Sequence, residues 1–343
     1  MADTSNTTAA ASWEPKIADL ARAKGSSLSA VEFQKVVNVV LHDVEAGVYD
    51  KAHSEMWNSL QPLVAALSSD ALSKLATAGE LALADVGCGT GLATTMFFET
   101  PLGARVARVA CVDTSGEMLE RCKQRALRWK KPATFHHGMI QGLTSASADV
   151  LLTSSVLHHI PDIAPFCAEI ARVLRPGGVF IHMQDPTAGR GQNPVLERRA
   201  RALAEAQAAA RPLWHSWPRP MRLPFSAWVR VQQWREGGYL REVNRRLHKA
   251  GVIRRSMSDG ELWSVTDIHV DGLPYAAGGG IARAELEKAL PSFDNVSFRS
   301  YGFFGKLSSH LPPELRAEEQ RLFAQGDLDG AHVAGVWVKR AGG

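Results

Sequence analysis

The sequence predicts an α/β fold: a doubly wound, seven-stranded, mostly parallel sheet. A helical lid precedes it, and a helical cap is inserted between strands five and six. Three observations predict this. Short apolar runs alternate with helical periods between residues 81 and 184, the rhythm of parallel strands joined by crossover helices. The first run, Leu81–Val86, breaks into glycines at 87, 89 and 91, as a buried strand does when it turns into a helix start. The chain has 343 residues, 45% of them hydrophobic. That is enough for such a sheet, at roughly 230–250 residues, with about 100 left over.

Taken in order, residues 1–12 are small and polar and read as a disordered tail. Residues 13–75 have helical periodicity, as in Val31, Phe33, Val36, Val37, Val40 and Leu41, and form the lid. Residues 76–185 form the ligand-binding core. Its strands are expected near 81–86, 108–112, 133–136, 148–154 and 178–184, and its helices near 91–99, 115–129 and 163–174. After Pro186 the rhythm stops. Asn193 followed by Pro194 marks a helix start running to about 210, inside a cap spanning 186–280. A helix at 282–290 and strands at 296–301 and 333–339 then complete the sheet over 281–343.

The glycine loop carries most of the functional information. Missing side chains let a ligand lie on the backbone near the positive end of the following helix. Some twenty residues on, the second strand ends in Asp113, the position for an acid that grips a ribose. A nucleoside ligand follows. The dinucleotide fingerprint fails, because its last position holds Leu92 in one register and Thr94 in the other. Asp85, expected at the loop mouth, would repel a pyrophosphate and welcome a cationic amino group. S-adenosylmethionine has that amino group, a ribose and a sulfonium.

Asp85-Val-Gly-Cys-Gly-Thr-Gly91 resembles motif I of the class I S-adenosylmethionine-dependent methyltransferases, a Rossmann-like family. Val112-Asp-Thr-Ser-Gly-Glu-Met118, Ala148–Asp162 and Leu174-Arg-Pro-Gly-Gly-Val-Phe-Ile181 resemble later segments of the family in the same order. The resemblance implies a one-carbon transferase. Asp85, Gly87, Gly89 and Gly91 would cradle the methionine end, with Cys88 in the same loop. Asp113 would hold the ribose, with Thr114 and Met118 beside it, and Ser154 would offer backbone to the amino-acid moiety. Met139 stands where relatives often carry an acid, so adenine would rest on Met139 and Ile140. Tyr49 matches the residue that a lid helix lays over the cofactor. The sixth and seventh strands would form an antiparallel hairpin at the sheet edge.

For the chemistry itself the candidates are His158, which follows the fourth strand, and His269 and Asp271. The stretch Asp267-Ile-His-Val-Asp271 alternates as one face of a strand would, as a base requires. An ordinary polar segment explains the same pattern. His182 reads as a core residue. No metal is expected, since the four cysteines lack paired ligand spacing. Buried free cysteines, no apolar leader and no membrane-length apolar run point to a cytoplasmic protein.

The net charge is +4, yet residues 186–256 hold fourteen arginines and Lys249 against four glutamates. Five of the nine tryptophans lie in or beside this stretch. Three readings stay open: a cap for an anionic, partly aromatic small molecule of secondary metabolism, a docking surface for nucleic acid, protein or a carrier-bound substrate, and a plain helical cap with solvated arginines. The expected reaction is methyl transfer to an O or N nucleophile of a small molecule. A non-methylating binding or regulatory protein on the same fold is the reading from another class.

Overall fold

The computed structural model describes residues 13–52, 55–209 and 238–341. Its centre is a seven-stranded sheet in the order β3-β2-β1-β4-β5-β7-β6. The strands are β1 (Leu81–Val86), β2 (Val106–Asp113), β3 (Ala133–His137), β4 (Ala148–Ser154), β5 (Leu174–Pro186), β6 (Phe293–Tyr301) and β7 (His332–Lys339). The first five pair in parallel, while β7 runs antiparallel to β5 and to β6. The sheet is therefore mixed. The expected edge hairpin is present, but its two strands are joined through a helix, 313–325, that periodicity did not reveal.

β1 and β4 are buried on both faces apart from the last residue of β4, which explains their unbroken apolar reading. Helices cover both faces. On one side α4 (Glu55–Leu72) and α5 (Leu92–Phe98) pack with Leu83, Val109, Leu152 and Ile181. On the other, α8 (Ile163–Val173) and the helix 283–289 pack with Val86, Leu151 and Phe180.

A separate apolar core joins the lid to the cap. Helices α1 (Trp13–Ala23) and α2 (Ala30–Glu45) enclose Ile17, Leu20, Phe33 and Val37 together with Val243, Leu247, Leu262 and Ile268 from residues 238–268. Segments more than two hundred residues apart thus bury each other's apolar stripes. Helix α4, counted in sequence with the lid, instead packs on the sheet. In α2, Ser29 accepts from the Glu32 N–H and the Glu32 carboxylate accepts from the Ser29 N–H, a reciprocal cap that fixes where the helix begins. Asn193 starts its helix as expected, its side-chain oxygen accepting from the Val195 and Leu196 N–H groups. Much of the cap (210–237), the N-terminal tail (1–12) and His53 lie outside the described residues.

Candidate active site

The candidate site lies where the carboxyl ends of β1, β2 and β4 open beneath α2, the usual place for ligands in such sheets. A cavity of about 340 Å³ is lined there by Gly87, Gly89, Asp113, Thr114, Met118, Met139, Ile140, Ser154 and Tyr49. These are nine of the twelve residues expected from sequence to hold the cofactor.

The loop after β1 is built on left-handed backbone. Gly87 has φ +69°, and a Cβ there would sit 2.5 Å from the Val156 Cγ2. Gly91 has φ +78° and caps α5. Its α-carbon faces Cys122 and Trp129, so Gly91 shapes the loop from outside the cavity wall. Asp113 ties the loop down. The Gly89 N–H donates to its Oδ2 at 2.7 Å and the Ser115 N–H to its Oδ1 at 2.8 Å. Burial pushes the Asp113 carboxyl up, and those two bonds oppose the shift. Each carboxylate oxygen can still accept from a vicinal diol.

Two loop residues are not where sequence put them. Asp85 does not reach the loop mouth: it is fully buried under the loop, where it accepts from the Thr94 hydroxyl. Burial pushes its carboxyl up to about 7, and its Oδ1 has no hydrogen-bond partner among the described residues. The Cys88 side chain turns away from the cavity. Its sulfur, with those of Cys111 and Cys122, lies in a buried group whose atoms are all within 4.8 Å of one another. Convergence on a protein core rather than sequence spacing brings these cysteines together, so spacing did not reveal it.

The α2 wall was missed. Gln34, Asn38 and His42 stand one turn apart and face the cavity with Lys35. Their i, i+4, i+8 spacing is the signal that would have found them. Gln34 donates to the His159 carbonyl at 3.1 Å and His42 to the Asn38 carbonyl at 2.8 Å, while the buried Asn38 Oδ1 has no hydrogen-bond partner among the described residues. Asp43 accepts from the Ser115 hydroxyl at 2.5 Å, and Asp50 accepts from that of Thr90 at 2.7 Å. These bonds clamp the lid to the turn after β2 and to the glycine loop.

Beside the cofactor cavity, sharing Tyr49 and Ser155 with it, lies a second chamber of about 410 Å³. His158 lines it. Its Nδ1 donates to the Asp185 Oδ1 at 2.9 Å, and the same oxygen accepts from the His158 N–H at 3.2 Å. That bond leaves Nε2 as the basic nitrogen. Burial and the neighbouring His159 hold the His158 imidazole below its ordinary value, against the pull of Asp185. The chamber floor is strained, with φ +61° at Ser155 and +68° at Gln184, backbone that functional sites often retain. Tyr301 bridges the backbone and side chain of Gln184 at 2.8 and 2.7 Å.

Neither His269 nor Asp271 lines this chamber with His158. Residues 267–271 form turns after the helix 259–266, not a strand, so alternation places no two of them on one face. The His269 Nε2 donates to the Ile160 carbonyl at 3.0 Å. Asp271 accepts from the N–H groups of Gly191 and Gly279 at 3.0 and 2.7 Å, which is also where the Gly278–Gly280 run is anchored. Asp267 pairs with His159, its Oδ1 3.3 Å from the Nδ1, while that Nδ1 donates to the Thr266 carbonyl at 2.9 Å. Burial alone would lower His159, but Asp267 and the carbonyl outweigh it and hold the imidazole raised. His158, His159 and Asp267 offer ligand atoms within 4.8 Å of one another. His182 is buried in the core, with burial pulling it down to about 4.

With this geometry in view, the family profile described as "Methyltransferase domain" matches residues 84–182. Over those residues the chain is similar to that family's methyltransferase domain. Among curated relatives, the trans-aconitate 2-methyltransferase of Azoarcus sp. (strain BH72) is 30% identical over 113 residues, 32% of this chain and 42% of that one. The ubiquinone biosynthesis O-methyltransferase of Bradyrhizobium sp. (strain ORS 278) is 30% identical over 102 residues, 29% and 38% of the two chains. A solved S-adenosylmethionine-dependent methyltransferase from Mesorhizobium loti superposes with a TM-score of 0.41 at 16% identity, covering 79% of this chain and 96% of that one. The chain spans less than half the length of the curated relatives named here. The residues that the family profile matches, 84–182, leave out the α1–α2 lid and the cap.

Proposed function

We propose that this protein transfers the methyl group of S-adenosylmethionine to an O or N nucleophile on a small molecule. The observation that carries the reading is the pairing of two cavities. One, at the glycine loop and Asp113, suits a nucleoside; the other, joined to it at Tyr49 and Ser155, holds an imidazole oriented by a buried carboxylate.

The residues present fit the cofactor. Gly89 has no atom within 4 Å of where a Cβ would stand, leaving open backbone for a ligand. Asp113 has capacity for ribose hydroxyls, and Ile140, Met118, Val112 and Phe166 offer apolar contact for adenine. The unpartnered Asn38 Oδ1 suits a ligand donor. When bound, S-adenosylmethionine supplies a methyl group already activated by its sulfonium.

What the chain must add is position, exclusion of water and a sink for one proton. The α2 and Tyr49 wall lines the cofactor cavity, and Tyr49 and Ser155, shared by the two cavities, set the reactants side by side. His158 accepts the proton of the acceptor hydroxyl or amine at Nε2, while Asp185 holds the Nδ1 tautomer and steadies the imidazolium that results. With its pKa held down, His158 is neutral and ready at physiological pH.

The test is calorimetric titration with S-adenosylmethionine and S-adenosylhomocysteine, beside an Asp113→Ala variant, followed by turnover on a panel of hydroxylated and amino acceptors. Micromolar binding that the variant loses, with methylation of some acceptor, supports the proposal. No binding by the wild type overturns it. In the described part of the cap Arg199 pairs with Asp327, Arg201 with Glu197, and Arg245 and Arg246 with Glu242, so these four arginines add little to the docking-surface reading.

A further inference from the structure

The chamber beside the cofactor cavity has a charge pattern that base catalysis does not use. Arg190 lies on its wall and is only partly exposed. Among the described residues its guanidinium makes no hydrogen bond and no ion pair. The acid whose charge it feels is Asp271, and both Asp271 oxygens are taken by the amides of Gly191 and Gly279. A half-buried guanidinium with its donors unspent is costly unless a ligand completes it. Lys306 lines the same wall and has no ion pair among the described residues. His332 adds a ring whose Nδ1 is buried without a partner. Burial, then the charge of Arg190, hold it down at about 3, so it is neutral. The opposing carboxylate on this wall is Asp267, which His159 engages.

We propose that Arg190, with Lys306, is the anion subsite of the acceptor chamber, and that the acceptor is a small organic acid carrying its nucleophile and a carboxylate or phosphate on one molecule. This rests on the methyltransferase reading. The guanidinium presents a planar fork that matches either oxyanion in two parallel hydrogen bonds. Lys306, at the exposed rim, contributes a point charge that draws the anion in. His158 and Arg190 then hold the two ends of the acceptor, and a volume of about 410 Å³ limits it to one compact molecule.

The full-length protein is titrated by ligand-observed NMR with 4-hydroxybenzoate, phenyl phosphate and the neutral 4-hydroxybenzamide, each with and without S-adenosylhomocysteine. The wild type is expected to bind at least one of the two anions ten-fold or more tightly than the amide, and the anion preferred names the oxyanion of the acceptor. Arg190→Gln should abolish that preference, Arg190→Lys should keep part of it, and Lys306→Gln should weaken it less. Each variant's affinity for S-adenosylhomocysteine reports its fold. Equal binding of acids and amide by the wild type overturns the proposal without any variant, as does an undiminished preference in Arg190→Gln. Failure of S-adenosylhomocysteine to bind counts against the methyltransferase reading, whereas the acid–amide comparison reads the anion subsite on its own.

Discussion

The His158 Nδ1 lies 2.9 Å from the Asp185 Oδ1, where the turn that follows β4 passes beside the end of β5. Ser154, the last residue of β4, pairs with Met183 of β5, so this turn is set next to Asp185 while Asp185 is still paired with Val333 of β7. Asp185 is fully buried, and its remaining oxygen has no hydrogen-bond partner. The pair acts as one unit, in which the carboxylate fixes which ring nitrogen is free.

His158→Ala is therefore expected to lower kcat by about 10²–10⁴-fold, the usual range for a lost general base, with cofactor affinity unchanged. Asp185→Asn should lower kcat as well and shift the acid limb of the pH profile. Asp185 holds the imidazole up against burial, so without it the limb moves to lower pH. Steady-state kinetics between pH 5 and 9 would read both effects. An unshifted limb in Asp185→Asn would remove His158 from the role of base.

Asp113 holds the loop and, in the proposed function, the ligand. Asp113→Ala removes the acceptor for the Gly89 and Ser115 amides and the proposed ribose contact together. Hydrogen bonds to a charged group are worth about 1.5–3 kcal/mol, so cofactor affinity should fall by ten-fold or more. Calorimetry measures it. Affinity within two-fold of wild type would place the cofactor elsewhere.

Gly87→Ala should fail for two reasons. The left-handed backbone costs about 1–3 kcal/mol for a residue with a Cβ, and the new carbon would meet Val156 at 2.5 Å. The expected result is a lower melting temperature together with lost cofactor binding. Retention of both would mean the loop can rebuild itself.

These features differ in how far the sequence shows them. The glycine loop and Asp113 were legible because each is a local signal: a strand end, a turn and a helix start within a few residues. Asp185 was not. It reaches His158 across 27 residues of chain, and only strand register, which local pattern does not encode, sets them side by side. Asp267, His269 and Asp271 show the opposite error. Their alternation suggested a strand, but Gly272 and Pro274 follow at once, and turn chemistry outweighed the period. Cys88 and Asp85 sit inside a recognisable motif, yet motif spacing says nothing of which way a side chain turns. The lid's Gln34, Asn38 and His42 were visible as a polar stripe on an apolar helix, and only docking with residues 238–268 shows what that stripe faces.

His159 and Asp267 make a pair with its own pH window. The imidazole is held above its ordinary 6.5 and the carboxyl below its ordinary 3.8. The His159 contribution is complete below pH 6.5 and fades as pH rises through its raised value. The Asp267 contribution is complete above 3.8 and fades as pH falls through its lowered value. Asp267→Asn should thus cost about 1–3 kcal/mol near pH 6 and much less near pH 9. Denaturant melts at the two pH values decide it, and an equal cost at both would mean the pair is not ionic.

Asp85 makes the opposite prediction, because its burial is a liability. A carboxyl raised from 3.8 to about 7 binds its proton more tightly in the folded chain than in the unfolded one. Below pH 3.8 both states are protonated and the residue costs nothing. Between 3.8 and 7 the unfolded chain alone ionises, so the penalty accumulates. Above 7 it levels off at about 4 kcal/mol. Asp85→Asn keeps an oxygen for the Thr94 hydroxyl and removes the ionisable group. It should raise the melting temperature at pH 8 and leave it nearly unchanged at pH 4. Its effect on cofactor affinity then separates two roles. If affinity holds while stability rises, Asp85 merely supports the loop. If affinity falls while stability rises, the unpartnered Oδ1 serves the ligand, and the stability penalty is retained for binding. A variant no more stable than wild type at pH 8 would show that the native carboxyl is not raised.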